Sequence, residues 1–303
     1  MTAPRSVVVL GSTASGKSDV AMAVAAARGG LEIVAADSMQ VYRGMDIGTA
    51  KPTRTDQDTV RHHGIDLVEP TEDYSVSQFL DAITVARSDM ESRGVHELIV
   101  GGTGLYVTAL VDGLNMPGQW PDIRAELEAN ADTESLFAEL VHRDPLAATR
   151  MEPNNRRRII RALEVCRGSG HTFSSFGPGV SQFPETDTVI IGIQWDRDIL
   201  RVRIAERVDR MIERGLVDEV RALVSSPASL SRTARQALGY KEVIEGLEKG
   251  WSTAEMARTI TLRTQQFAIR QERWYRRDPR IQWVKVQNDP ISEVAPVVEA
   301  ALA

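Results

Sequence analysis

Residues 6–18 read Ser6-Val7-Val8-Val9-Leu10-Gly11-Ser12-Thr13-Ala14-Ser15-Gly16-Lys17-Ser18. A β-branched apolar run stopped by glycine is the pattern of a buried strand, here Ser6–Leu10. The alanine-rich stretch Lys17–Arg28 that follows is unbroken, the pattern of a helix closed by Gly29-Gly30. Between strand and helix, Gly11–Ser18 fits G-x-x-x-x-G-K-[ST], the P-loop spacing in the context that the motif requires. Its glycines let backbone N–H groups turn toward phosphate oxygens, and the helix N-terminus adds partial positive charge. Lys17 then reaches the outer phosphate, and the Ser18 hydroxyl can ligate Mg²⁺. Gly11, Ser12, Thr13, Ala14, Ser15, Gly16, Lys17 and Ser18 are therefore the expected cradle. Such a cradle specifies a pyrophosphate, not a particular nucleotide.

Outward from this motif, Leu31–Ala36 reads as a second strand that delivers Asp37 at its C-terminal end, beside the P-loop in a parallel sheet. An aspartate there can hold Mg²⁺ through water, act as a general base, or cap the following turn. Ser38–Pro52 is dense in glycines and hydrogen-bonding residues and reads as a binding loop. Glu97–Val100 is a third strand, and it runs into Gly101-Gly102-Thr103-Gly104, where a kinase-like strand usually ends in an acid. The glycine run suits close approach of a bulky ligand. With helices at Ser77–Arg93 and Leu105–Val111, strands and helices alternate as in parallel β-α-β units.

The pattern changes near Pro117. Helical periodicity without strands covers Ile123–Ala131, Glu134–Arg143, Leu146–Met151 and Arg156–Arg167, and Gly168–Pro184 has the composition of a loop. A strand returns at Val189–Gln194, followed by helices at Ile199–Arg214, Leu216–Val224 and Thr253–Arg276 and a late strand at Ile281–Val286. The expected fold is α/β: a P-loop kinase-like core, its parallel sheet flanked by helices, over 1–118 and 187–303. An all-helical insertion domain occupies 119–186.

Among 303 residues, 42% are apolar and 26% charged, ordinary for a globular protein. The net charge of −6 argues against a protein that coats nucleic acid, though it permits a local basic face. Cys166 is the only cysteine, which excludes an internal disulfide or a multi-cysteine metal site and fits a reducing compartment. The apolar run Val7–Leu10 is too short for a signal peptide, and no run reaches membrane-span length. A cytoplasmic, monomeric protein without membrane association is expected. The five histidines are scattered and show no metal-ligand spacing.

Three blocks in this order and spacing, GSTASGKS from Gly11, DSMQVYRGMDIGTAKP from Asp37 and GGTGLY from Gly101, resemble the tRNA dimethylallyltransferase family, the tRNA isopentenyltransferases. Further matches run from Asp144, Glu206, Ala237 and Thr264, so the resemblance covers nearly the whole chain. It implies two substrates: dimethylallyl diphosphate, and the adenosine just 3′ of the anticodon in tRNAs that read codons beginning with U. It also implies Mg²⁺ as cofactor, Asp37 as general base on the adenine N6 amine, and Lys17 with Arg207 stabilising the diphosphate. Asp37, Ser38, Met39, Gln40, Thr103, Arg124 and the segment Arg157, Arg158, Ile159, Ile160, Arg161 would contact the anticodon stem-loop. Departures from the family's usual residues are Ser12 for proline, Ser18 for threonine, Asn155 for aspartate, and Gln265 and Ile269 for basic residues.

Basic segments point to an RNA partner by themselves. Residues 154–167 hold Arg156, Arg157, Arg158, Arg161 and Arg167 against the single acid Glu164. The last long helix interleaves Arg263, Arg270, Arg273, Arg276 and Arg277 with Phe267, Trp274 and Tyr275, the pattern of backbone contact plus stacking. Two rival readings remain at this point. One is a prenyltransferase acting on free AMP, ADP or ATP, which needs neither the insertion nor the basic run. The other is a P-loop NTPase or RNA-binding module without prenyl chemistry.

Overall fold

Six strands run parallel in one sheet, in the order β3-β2-β4-β1-β5-β6. The computed structural model describes residues 6–177, 179–180 and 182–303. Along the chain come β1 (Val7–Gly11), α1 (Lys17–Arg28), β2 (Leu31–Ala36), α2 (Arg54–Thr59), β3 (His62–His63), α3 (Val76–Ser92), β4 (His96–Gly101) and α4 (Gly104–Asp112). Four helices follow without a strand: α5 (Pro121–Ala129), α6 (Thr133–Arg143), α7 (Pro145–Thr149) and α8 (Arg156–Ser169), then a 3-10 turn at Phe173–Phe176. The rest is β5 (Val189–Gln194), α9 (Arg197–Glu213), α10 (Leu216–Val224), α11 (Arg232–Arg235), α12 (Tyr240–Lys249), α13 (Thr253–Tyr275), β6 (Ile281–Lys285) and α14 (Pro290–Ala301).

The chain divides into two compact units, residues up to Val111 with Glu185–Ala303, and Asp112–Pro184. The second begins earlier than position 119, at the last residue of α4.

In the α/β unit, side chains alternate across the sheet as the pleat demands. Val8, Leu10, Val34, Ile99 and Ile190 face one core with Phe79, Tyr240 and Ile260. Val7, Val9, Ile33, Leu98 and Ile191 face the other with Val20, Val24, Val294 and Val298 of α1 and α14. Burial on both faces explains why the strands read as continuous apolar runs.

Register fixes the site. Gly101 of β4 pairs with Leu10 of β1 on one side and Ala36 of β2 on the other. Gly11, Asp37 and Gly102 therefore leave the sheet together, at the carboxyl ends of three adjacent strands. The strand order also reverses about β1, with β2, β3 and β4 to one side and β5 and β6 to the other. That is where ligands of open α/β sheets bind.

The helical unit has its own core of Leu127, Leu136, Leu140, Ala148, Ile159, Ile160 and Leu163 from α5 to α8. Asn155 is the N-cap of α8 and accepts from the Arg158 N–H at 3.4 Å, so an amide serves where the family usually has a carboxylate.

Candidate active site

The P-loop needs its glycines for sterics as well as phosphate. Gly16 has φ 90°, and a Cβ there would lie 2.5 Å from Pro290 at the start of α14. A Cβ on Gly11 would lie 2.5 Å from the Ser15 hydroxyl oxygen, which is buried and has no hydrogen-bond partner among the described residues. Ala14 adopts φ 63°, a left-handed conformation that the surroundings must enforce. Three side chains do so from outside the loop. The Thr13 N–H donates to Gln271 Oε1 at 2.8 Å, Arg203 Nε donates to the Ala14 carbonyl at 3.0 Å, and Trp195 Nε1 donates to the Ser15 carbonyl at 2.9 Å. Arg203 also lies 4.3 Å over the Trp195 ring.

Asp37 and Thr103 meet beside this cradle. Ser38 N–H donates to Thr103 Oγ1 at 3.0 Å, and Thr103 N–H donates to the Ala36 carbonyl at 3.3 Å. Asp37 Oδ1 accepts from the Met39 N–H at 2.9 Å, so the carboxylate does cap its turn. Its other oxygen has no hydrogen bond within the described residues and remains available for chemistry.

A cavity of about 580 Å³ opens over these strand ends, and Thr13, Lys17, Ser18, Asp37, Arg207 and Phe267 are among its lining residues. Burial, reinforced by the Arg207 charge, lowers the Lys17 pKa to about 8 against the opposing pull of Asp37 and Asp19. Burial also pushes the Arg207 guanidinium below its ordinary pKa. Neither cation has an ion-pair partner among the described residues, although Asp37 and Asp19 exert a field on both. Two neighbouring half-buried, partly desolvated cations without a salt bridge are costly unless an anion completes them.

Ser18 is exposed at the cavity, with Asp19 and Asp37 also lining it. No cluster of three or more histidine, cysteine or acidic residues suited to a metal occurs among the described residues. This donor set fits Mg²⁺, which keeps waters and takes phosphate oxygens instead of an all-protein cage.

The binding loop is pinned from several sides. Gln40 Nε2 donates to the Thr49 and Ala50 carbonyls, and Met39 packs against the core. Lys51 Nζ, almost fully buried, meets the Tyr42 carbonyl, Asp46 and Asp66 at 2.6–2.7 Å. The Glu219 carboxylate accepts from the N–H groups of Asp46, Ile47 and Gly48 and from the Tyr240 hydroxyl. Gln40 and Met39 thus shape the loop first, and sequence reasoning missed Glu219 altogether.

In the helical unit, two expected contacts need correction. Ile159 and Ile160 are 0% and 3% exposed in its core, so they cannot touch RNA and instead seat α8. Arg161 donates to the Pro117 and Gly118 carbonyls and pairs with the buried Glu164 at 2.9 Å. Arg124 pairs with Glu128 at 3.0 Å and approaches Glu164 at 3.5 Å. Arg157 and Arg158 are exposed and make no such contact within the described residues.

On α13, Tyr275 is buried in the core and is corrected from a stacking residue to a packing one. Trp274 packs against Gly104 and carries Arg277 at 4.1 Å over its ring. Arg263 is held by Glu242 and Glu245, and Arg276 by Glu272. Arg270 and Arg273 are exposed. Gln271 is the residue that sequence reasoning passed over. It falls on the buried stripe Met256, Ile260, Thr264, Ala268, Gln271, Tyr275, and a glutamine there is the sign that could have marked it.

Two family models match the sequence: IPP transferase over residues 40–278 and Isopentenyl transferase over residues 5–66. A tRNA dimethylallyltransferase of Streptomyces coelicolor is 46% identical over 286 residues, 93% of this chain and 90% of that protein. The crystal structure of the full-length tRNA isopentenylpyrophosphate transferase from Bacillus halodurans superposes with a TM-score of 0.70 at 36% identity, covering 99% of this chain and 97% of that one. A eukaryotic dimethylallyltransferase studied crystallographically acting on tRNA shares the fold, with a TM-score of 0.82 at 24% identity over 98% of this chain and 78% of that one.

Proposed function

The chain belongs to the IPP transferase family, and from that premise we propose that its cavity transfers a dimethylallyl group from dimethylallyl diphosphate to an adenosine of tRNA. The observation that carries this reading is a pair of cations without an ion-pair partner among the described residues, Lys17 of the P-loop and Arg207 of α9, lining one cavity with Asp37. Relatives of matching length are tRNA enzymes, which favours tRNA over a free nucleotide as acceptor.

The acceptor is N6 of the adenosine just 3′ of the anticodon, in tRNAs reading codons that begin with U. This amine is a poor nucleophile because its lone pair is delocalised into the ring. As the bond from N6 to C1 of the dimethylallyl group forms, the C1–O bond to diphosphate breaks. The free oxygen of Asp37 takes the N6 proton, help worth about 10²–10⁴ in rate. Lys17 and Arg207 receive the charge that develops on the leaving diphosphate in a partly dry cavity. Ser18 and the diphosphate oxygens would hold Mg²⁺, which supplies further neutralisation of that charge. Thr103, tied to Ser38, orients the base edge next to Asp37. A base within a stem-loop must be extruded to reach this point.

The test incubates the protein with Mg²⁺, labelled dimethylallyl diphosphate, and bulk tRNA or AMP in parallel. Label on tRNA adenosine is the expected result. Label on AMP alone, or ATP hydrolysis without transfer, would sink the proposal.

A further inference from the structure

Gln271 is 7% exposed on α13 and joins two loops that leave the sheet from different strands. Its Oε1 accepts from the Thr13 N–H of the P-loop at 2.8 Å, and its Nε2 donates to the Gly102 carbonyl at 2.6 Å. This network fixes which way the amide points. Flipping it would set two donors together at Thr13 and two acceptors together at Gly102.

An amide nitrogen carries two N–H groups, and only one is engaged within the described residues. The nitrogen and the Lys17 ammonium both approach one point beside Gly102. A Cβ placed on Gly102 would lie 3.2 Å from Gln271 Nε2 and 3.4 Å from Lys17 Nζ. Both side chains line the cavity. Two donors thus converge beside Gly102, and among the described residues neither the second amide N–H nor the Lys17 ammonium has an acceptor, an arrangement that an anionic oxygen completes. Gly102 has a reason to be glycine here, since a side chain would occupy the place where they meet.

We propose that Gln271 is a further diphosphate-binding residue: its free amide N–H and the Lys17 ammonium donate to one diphosphate oxygen, while its other two bonds hold cradle and Gly102 turn at fixed separation. The inference rests on the diphosphate reading of the cavity. It assigns to one uncharged side chain both the contact with the leaving group and the spacing between that group and the Thr103–Ser38 pair.

Equilibrium binding of inorganic pyrophosphate with Mg²⁺, measured alongside ligand-free thermal melting, tests this on the whole protein, Q271L and Q271E. Leucine removes all three bonds at nearly constant volume. Glutamate keeps the acceptor for Thr13 but loses both N–H groups and turns a carboxylate toward the anion. A hydrogen bond to a charged group predicts a roughly 10- to 100-fold rise in Kd for Q271L. Q271E should bind as weakly or more weakly, although it retains the Thr13 half of the loop tie. If Gln271 served only to tie the loops, Q271E, which keeps the Thr13 bond that leucine loses, would bind better than Q271L, and that order overturns the inference, as does wild-type affinity in either folded variant. Should Q271L fail to fold, Q271E against wild type decides by the same criterion. Wild-type protein that binds pyrophosphate but prenylates no tRNA would refute the acceptor assignment and leave Gln271 standing. Wild-type protein that binds no pyrophosphate would remove the diphosphate reading and this inference together.

Discussion

Around its P-loop the α/β unit handles positive charge in the opposite way from the helical unit. In the cavity, Lys17 and Arg207 are half-buried near each other without a salt bridge among the described residues, and desolvation depresses both pKa values. In the helical unit, Arg161 and Arg124 pair with the buried Glu164, Arg167 grips Glu139 at 2.6 Å, and Arg156 donates to the Glu128 and Asn130 carbonyls. The first arrangement costs stability and awaits an anion, whereas the second stabilises its own fold. Arginine density therefore does not mark a nucleic-acid surface. Cations left without internal partners are the candidates for RNA phosphates, and in α8 Arg157 and Arg158 have none among the described residues.

The largest expected effect tests the cavity side of this contrast. Lys17→Ala should lower kcat/KM by on the order of 10³ or more, because a diphosphate in a dry site loses a main cationic partner. Its melting temperature should stay level or rise, since the folded protein no longer buries that ammonium. Activity near wild type would show that the cradle does not hold the reacting diphosphate. Asp37→Asn comes next, lowering kcat by about 10²–10⁴ with pyrophosphate binding retained. An unchanged kcat with lost pyrophosphate binding would give Asp37 a metal or structural duty instead.

Glu164→Ala tests the other side and should have the reverse signature. It strands Arg161 and the Trp120 N–H, which Glu164 accepts at 2.9 Å, and should destabilise the helical unit by about 1–3 kcal/mol in denaturant titrations. Pyrophosphate affinity should not move. An unchanged stability would mean that the unit's arginines are not internally engaged.

These contrasts also show what the chain displays locally and what it hides. The P-loop, Asp37 and the glycine run after β4 are read from short spacings, because a strand-to-helix turn and a strand end are set by neighbouring residues. Gln271 acts on residues more than 160 positions away, and Glu219 acts on loop N–H groups as distant, so neither spacing nor period displays their partners. The helix α14 escaped the sequence reading, yet Asp289 caps it and Pro290 sits in its first turn. That start signal was present, but Pro290 and Pro296 mask it as a broken stretch. In α8, Arg157 and Arg161 look alike in sequence, and only packing separates the engaged Arg161 from Arg157, which has no partner among the described residues.

A smaller effect follows pH. In the ligand-free protein Lys17 loses its proton near pH 8, whereas the unfolded chain holds it to about 10.5. Below pH 8 the group is charged in both states, and the desolvation cost of folding is carried in full. Between these values only the unfolded chain binds the proton, so a lysine at this site favours folding more as pH rises. Pyrophosphate affinity should run the other way, falling up to about tenfold per unit above pH 8 as the free ammonium is lost. A Kd flat from pH 7 to 10 would place the binding charge elsewhere, on Arg207 for example.

The smallest effect is the one that bears directly on RNA. If Arg157 and Arg158, exposed and without partners among the described residues, meet phosphates, replacing both with alanine removes two counterion-releasing contacts. The log–log dependence of tRNA affinity on salt should then flatten by about 1.4–1.8, taking 0.7–0.9 per phosphate for single strands and duplex. Pyrophosphate affinity and melting temperature should be untouched, because neither side chain supports a packed group. Arg161→Ala is the control, and it should instead lower stability by exposing a buried carboxylate's missing partner. Should the double variant keep the wild-type salt slope while Arg161→Ala flattens it without loss of stability, internal engagement would be the wrong criterion. The phosphate contacts would then lie with the paired arginines, which would have to leave Glu164 when tRNA binds.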